Sequence, residues 1–214
     1  MNETLPLLVI GNQNYSSWSL RPWLFLRATG VEFEVLRIPL DTPRFQAEIG
    51  RWSPTRCVPV LHHAGRVVWD SLAICEYAAE TFPGVEGWPD DPDARAFARA
   101  ASAEMHSGFS ALRATMPMDC RARRARHEPS PEAARDIARV LAIWREARTR
   151  FGAGGPWLCG RFSIADAMFA PVASRFVTYA VTLDETTWGW VDTLMSHPAM
   201  REWLRAGAAE TEML

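Results

Sequence analysis

SPTRCVPVLHHAGRVVWDSLAICEYAAETF, residues 53–82, contains two short apolar stretches, 58–62 and 67–69, on either side of a turn at Gly65. Such a pattern reads as a β-hairpin. Leu72, Ile74, Cys75, Tyr77, Ala78 and Ala79 then fall at helical spacing, so a helix follows the hairpin directly. Upstream, LLVI (residues 7–10) is a continuous apolar run of the kind a strand buried on both faces requires. The polar run NQNYSSWS leads into LRPWLFLRATG, a helix that tolerates Pro22 in its first turn and stops at Gly30. VEFEVLRI (31–38) alternates as a strand does, and a polar helical stretch surrounds residues 45–51. The first 82 residues therefore spell β-α-β-α-β-β-α.

Downstream the pattern changes. FPGVEGWPDDP (82–92) holds three prolines and two glycines, which breaks any regular element, so residues 83–93 are expected to link two domains, 1–82 and 94–214. Phe97, Ala101, Met105, Gly108, Phe109, Leu112 and Met116 recur as one helical stripe, and Ile137, Val140, Leu141, Trp144 and Phe151 as a second. A third helix begins at Ser163, and shorter ones lie near Val191 and Met200. The fold class is α+β in two domains, the second all-helical.

The chain has 214 residues, 48% of them hydrophobic and 22% charged, enough to bury a large core. Its net charge of −2 offers no basic excess for nucleic acid. No apolar run approaches a membrane span and the N-terminus lacks a signal-peptide pattern, so a cytoplasmic protein without membrane partners is expected. Cys57, Cys75, Cys120 and Cys159 form no CxxC pair, and adjacent His62 and His63 would face opposite sides of a strand, so no metal site is expected. RARRARH (121–127) is the strongest charge cluster and reads as a solvated loop.

Four motifs, NYSSWSLRPW (14–23), RCVPVL (56–61), DSLAICEYAAETF (70–82) and GRFSIADAMFAPV (160–172), occur in an order and spacing that resemble the cytosolic glutathione transferase superfamily. The serine-bearing first motif is similar to the zeta and theta classes or their bacterial relatives. The resemblance implies a thioredoxin-like N-terminal domain, a helical C-terminal domain, glutathione as cosubstrate, and a homodimer in which the first domain meets the partner's helical domain. It implies a transferase that activates the glutathione thiol for attack on an electrophile. A zeta-like cis-trans isomerase for a maleyl-type diacid and a non-catalytic binding protein of the same fold are the alternatives.

The resemblance also implies site residues. The zeta pattern places the catalytic hydroxyl on Ser16, the theta pattern on Ser17; the bland alternative for both is a helix cap. Tyr15 is a weaker donor candidate. Val58-Pro59 is implied to be cis, with the Val58 backbone pairing with the cysteinyl residue of glutathione. Ser71 would bind the γ-glutamyl carboxylate and Asp70 the ammonium beside it. Relatives commonly carry Lys, Arg or Gln where this chain has Cys57; Arg56 is the candidate replacement, and Cys57 is expected to be an incidental buried cysteine. Met105, Phe109, Leu112 and Met116 would line the second substrate's pocket, with His106 or Arg113 at its polar edge. Arg175 resembles the basic residue with which zeta enzymes grip a substrate carboxylate. Ser163 and Asp166 match the superfamily's capping box, with a structural role worth about 0.5–2 kcal/mol.

Overall fold

The computed structural model describes residues 5–124 and 128–213. Its first half runs β1 (Leu7–Ile10), α1 (Ser17–Ala28), β2 (Glu34–Arg37), α2 (Pro43–Trp52), β3 (Val60–His63), β4 (Arg66–Val68) and α3 (Ser71–Thr81), the order read from the sequence. The strands form one sheet, β2-β1-β3-β4, with β1 and β2 parallel and β3 antiparallel to both β1 and β4. This is a thioredoxin-like arrangement. β1 is apolar throughout because both faces of the sheet are covered. Leu8 and Ile10 join the main core with α1 and α3, whereas Val9 packs with Ile38, Ile49 and Val60 on the side that α2 covers. His62 and His63 do take opposite faces: His62 Nε2 is 2.8 Å from Trp52 O, and His63 Nδ1 is 2.9 Å from the Tyr77 hydroxyl.

The second half is helical: α4 (Pro92–Ser107), α5 (Ser110–Thr115), α6 (Pro131–Phe151), α7 (Ile164–Thr178), α8 (Glu185–Ser196) and α9 (Pro198–Ala209). Proline at the first position of α4 and of α6 costs no hydrogen bond, and the preceding Asp91 and Ser130 cap the exposed amides of Ala94 and Ala133. Every residue of α7 except Val177 is buried, making it the axle of the helical half. One hydrophobic core runs from Leu8 and Leu61 in the sheet through Leu24 to Trp144, Phe169 and Trp203, so the two halves share an interior.

The stripe from Phe97 to Met116 is not one helix. Gly108 ends α4, Phe109 adopts a left-handed backbone (φ 57°), and α5 starts afresh with the Leu112 amide donating to Asp136 Oδ2 of α6 at 3.0 Å. The apolar spacing survives the break, which is why periodicity alone missed it.

Asp166 does more than cap α7. Its Oδ2 accepts from the Ser163 amide (2.9 Å) and hydroxyl (3.0 Å), and its Oδ1 from the Leu158 amide (2.9 Å) and Trp190 Nε1 (2.8 Å). A fully buried carboxylate thus joins α7, α8 and the segment before them. Burial pushes it up to about 6, against the opposing pull of these donors.

The arginine cluster is not wholly a solvated loop either. Residues 125–127 lie outside the described residues, but Arg121 is partly buried, donating from Nη1 to Glu210 O at 2.8 Å and from Nη2 to the Tyr15 hydroxyl and Glu212 O. Arg124 donates its amide to Thr178 O at 2.9 Å and lies over the Tyr179 ring. These contacts were invisible because their partners lie up to 106 positions away.

Candidate functional site

Helices α1 and α3 start at the same end of the sheet, and α4 from the helical half passes over them. Between them lies a cavity of about 260 Å³ lined by Trp18, Val58, Pro59, Asp70, Ser71, His106, Ser107 and Arg113. Of the residues singled out in the sequence, the fold brings Val58, Pro59, Asp70, Ser71, His106 and Arg113 together there. A larger cleft of about 570 Å³ beside the start of α4 has Cys159 as its one thiol, and burial pushes that thiol up to about 12, where it is a poor nucleophile.

The Val58–Pro59 peptide is cis. Neither the Val58 N–H nor its C=O has a hydrogen-bond partner among the described residues, since β3 starts at Val60. An extended ligand can therefore pair with this backbone as an added strand. Ser71 is the first residue of α3, fully buried, and its hydroxyl has no partner. Amides at that helix start, with the positive end of the helix dipole, suit a carboxylate.

Asp70 is already engaged twice. Its Oδ1 accepts from the Leu72 amide at 3.1 Å as the cap of α3, and its Oδ2 is 2.8 Å from His106 Nε2 of α4. His106 also meets the Trp18 ring edge-on at 5.3 Å. Trp18 in turn carries the guanidinium of Arg21 at 4.1 Å and that of Arg113 at 5.1 Å from its centroid. Sequence spacing flagged neither Trp18 nor Arg21 as lining or backing a site; an aromatic directly after a serine pair is the signal that was available.

Neither Ser16 nor Ser17 lines the cavity, which α1 reaches through Trp18, and the two serines differ. Ser16 is the N-cap of α1: its oxygen accepts from the Ser19 amide at 3.4 Å, and its hydroxyl donates to Ser19 Oγ at 2.7 Å. Ser19 Oγ also takes the Gly11 amide at 3.2 Å. The Ser17 hydroxyl has no partner among the described residues. The Tyr15 hydroxyl is held by Arg121 and by the C-terminal segment, not by the cavity.

Other candidates fall elsewhere. Arg56 turns onto α2, donating to Gln46 O at 2.9 Å, and does not line the cavity. Cys57, expected to be buried, is exposed, because it precedes the strand and nothing packs over it. Met105, Leu112 and Met116 are fully buried and Phe109 nearly so, all in the core. Arg175 is buried, with Nε on Met116 O (2.7 Å) and Nη1 on Pro171 O (3.1 Å). Burial and nearby Arg113 bring it down to about 10, and burial, Arg175 and Arg113 depress Arg21. Arg21 anchors α1 to α7 through Met168 O at 3.0 Å, while its Nη2 has no partner. Arg113 lines the cavity, and its charge is felt by Arg21 and Arg175 behind it. Among the described residues, no cluster of His, Cys, Asp or Glu fits a metal, and no helix is long and apolar enough to cross a membrane.

Comparison with known proteins matches residues 15–81 to the glutathione S-transferase N-terminal domain and residues 130–206 to the glutathione S-transferase C-terminal domain. A probable maleylacetoacetate isomerase of Caenorhabditis elegans is 34% identical over 112 residues, 52% of this chain and 51% of the relative. The chain therefore spans about half the length of that relative. A glutathione S-transferase L3 of Arabidopsis thaliana is 26% identical over 201 residues, 90% of this chain and 77% of the relative. Among solved structures, a glutathione transferase homologue from Burkholderia with bound glutathione superposes with a TM-score of 0.72 at 23% identity, covering 95% of this chain and 98% of that one.

Proposed function

The chain belongs to the cytosolic glutathione S-transferase superfamily, and from that premise we propose that it binds glutathione in the interdomain cavity and turns its thiol on an electrophilic small molecule. One observation carries the reading. The unpaired Val58 backbone, the orphaned Ser71 hydroxyl at the start of α3 and the start of α1 all converge on one cavity. Val58 pairs with the cysteinyl residue, Ser71 takes the γ-glutamyl carboxylate, and Asp70 draws the ammonium. The sulfur then lies toward the positive end of α1.

A thiol near the generic ~8.5 is mostly protonated at neutral pH, and each unit of depression stabilises thiolate by about 1.4 kcal/mol. A hydroxyl donor favours the thiolate in the same way. We assign that contact to Ser17, whose hydroxyl is free, and leave Ser16 to the helix cap. Catalysis then rests on thiolate population and on holding sulfur beside the electrophile. Exchange through a protein thiol fits poorly, because the first motif carries SSWS and no thiol and exposed Cys57 does not line the cavity, while burial pushes Cys75 well above the usual thiol range and Cys120 up to about 12.

A second reading has its own support. Arg113 at the cavity wall, with Arg21 and Arg175 behind it, makes the pocket electropositive and suits an anionic partner substrate such as a maleyl-type diacid. Such a diacid would be isomerised with glutathione added and then released. We further propose a homodimer, supported by the exposed side chains of Val67 and Trp69, and a cytoplasmic location.

Immobilised-glutathione retention followed by turnover of a neutral aryl halide and of a cis-diacid tests these readings. Conjugation supports the transferase, and diacid conversion without glutathione consumption supports the isomerase. Retention with no turnover on either points to a binding protein, and no retention removes glutathione from the site.

A further inference from the structure

The loop that delivers the serine pair to the start of α1 is held from the opposite end of the chain. Glu210, the residue that ends α9, places Oε1 2.8 Å from the Gln13 amide and Oε2 3.0 Å from the Asn14 amide. Its side chain is only 7% exposed, and Arg37 Nη1 at 3.4 Å supplies a countercharge. A carboxylate accepting two successive backbone amides fixes the orientation of both peptide planes. Asn14 is itself buried and locked through its side chain to Asp119 (3.0 Å) and the Arg121 amide (3.1 Å). α9 lies flush on this backbone: a Cβ on Gly207 would come within 3.1 Å of Asn14 N and Gln13 C.

Two residues separate the clamped Asn14 from Ser17. No cavity-lining residue comes from α9 or the segment after it, so this contact acts on the site through the loop alone. We propose that Glu210 is a positioning residue for thiol activation: by clamping Gln13 and Asn14 it sets where the start of α1 and its serine hydroxyls face the sulfur. The role rests on the glutathione-thiolate reading above, and it goes beyond that reading by making the chemistry depend on the C-terminal segment. Displacement of a catalytic group by about 1 Å can cost on the order of 100-fold in rate.

The test compares wild type with Glu210→Ala, Glu210→Gln, which keeps one acceptor, and Gly207→Ala, whose added Cβ crowds the Gln13–Asn14 backbone at 3.1 Å. Asp184→Ala serves as a stability control, because Asp184 caps α8 away from the cavity. For each, kcat and KM for glutathione are measured at saturating electrophile, and the ionisation midpoint of bound glutathione is read from thiolate absorbance. The expected result is a kcat roughly 10-fold to 100-fold lower in Glu210→Ala, with an upward midpoint, smaller changes in Glu210→Gln, and KM within about twofold. Asp184→Ala, with a similar loss of Tm, keeps the wild-type midpoint. An active wild type whose Glu210→Ala and Gly207→Ala forms retain its kcat and midpoint overturns this inference alone. A wild type that neither binds nor ionises glutathione overturns the parent reading and this role together.

Discussion

His106 Nε2 lies 2.8 Å from Asp70 Oδ2, a bond that joins α4 of the helical half to the cap of α3 in the sheet half. The carboxylate proposed to draw the ligand's ammonium is thus positioned from both domains. Asp70→Asn keeps an oxygen for the Leu72 amide and removes the charge. Charged hydrogen bonds contribute about 1.5–3 kcal/mol, so the KM for glutathione should rise roughly 10-fold or more, while Tm stays close to wild type. Steady-state kinetics beside a thermal melt checks this, and an unchanged KM removes Asp70 from ligand binding.

The two serines should separate cleanly. Ser16→Ala removes the α1 cap and should destabilise the protein by about 0.5–2 kcal/mol, read by urea denaturation. Ser17→Ala should leave stability within ~0.5 kcal/mol, yet raise the midpoint of bound glutathione by about one unit and lower kcat about tenfold at neutral pH. If Ser16→Ala alone shifts the midpoint, the assignment passes to Ser16.

Arg113 distinguishes the two proposed substrates. It is the arginine that lines the cavity, with its guanidinium over Trp18. Arg113→Met keeps the packing of the stem and removes the charge. The kcat/KM for a dicarboxylate should fall about 10-fold to 100-fold, corresponding to about 1.5–3 kcal/mol for a charged contact. Turnover of a neutral aryl halide should change by less than about threefold. Equal effects on both substrates would mean that Arg113 serves the fold rather than an anion.

Asp166 should make stability fall as pH rises. Burial raises its carboxyl from 3.8 to about 6, so the folded chain holds this proton more tightly than the unfolded chain. The stabilisation is complete below about 3.8 and is lost as pH climbs through about 6. Its size is on the order of 3 kcal/mol. Asp166→Asn does not titrate, so the advantage of wild type over this variant in urea unfolding should be larger at pH 5 than at pH 7.5. An advantage that grows with pH would show that the four donors outweigh burial.

Local pattern determined much of this protein. The order of elements through α3 and the caps at Asp91, Ser130 and Ser163 follow from side chains a few positions apart. So do the opposite faces of His62 and His63. Periodicity and capping are properties of neighbours in the chain, so the sequence displays them directly. Val58, Pro59, Asp70 and Ser71 were singled out through the resemblance of their motifs to a known superfamily, and the fold lines one cavity with them.

Tertiary structure alone decided the rest. Nothing near Gly108 in sequence announces that Asp136 of α6, 24 positions after Leu112, will accept the Leu112 amide in the new helix that starts there. The same holds for Arg56 turning onto α2, Arg175 spending its donors on carbonyls, Arg121 gripping Tyr15, and Glu210 clamping Gln13 across 197 positions. Which partner a charged side chain finds depends on which segments chain folding brings within about 3 Å of it. That is fixed by how the elements pack, α5 against α6 and α7 and α9 against α1 among them, and by no spacing within a motif.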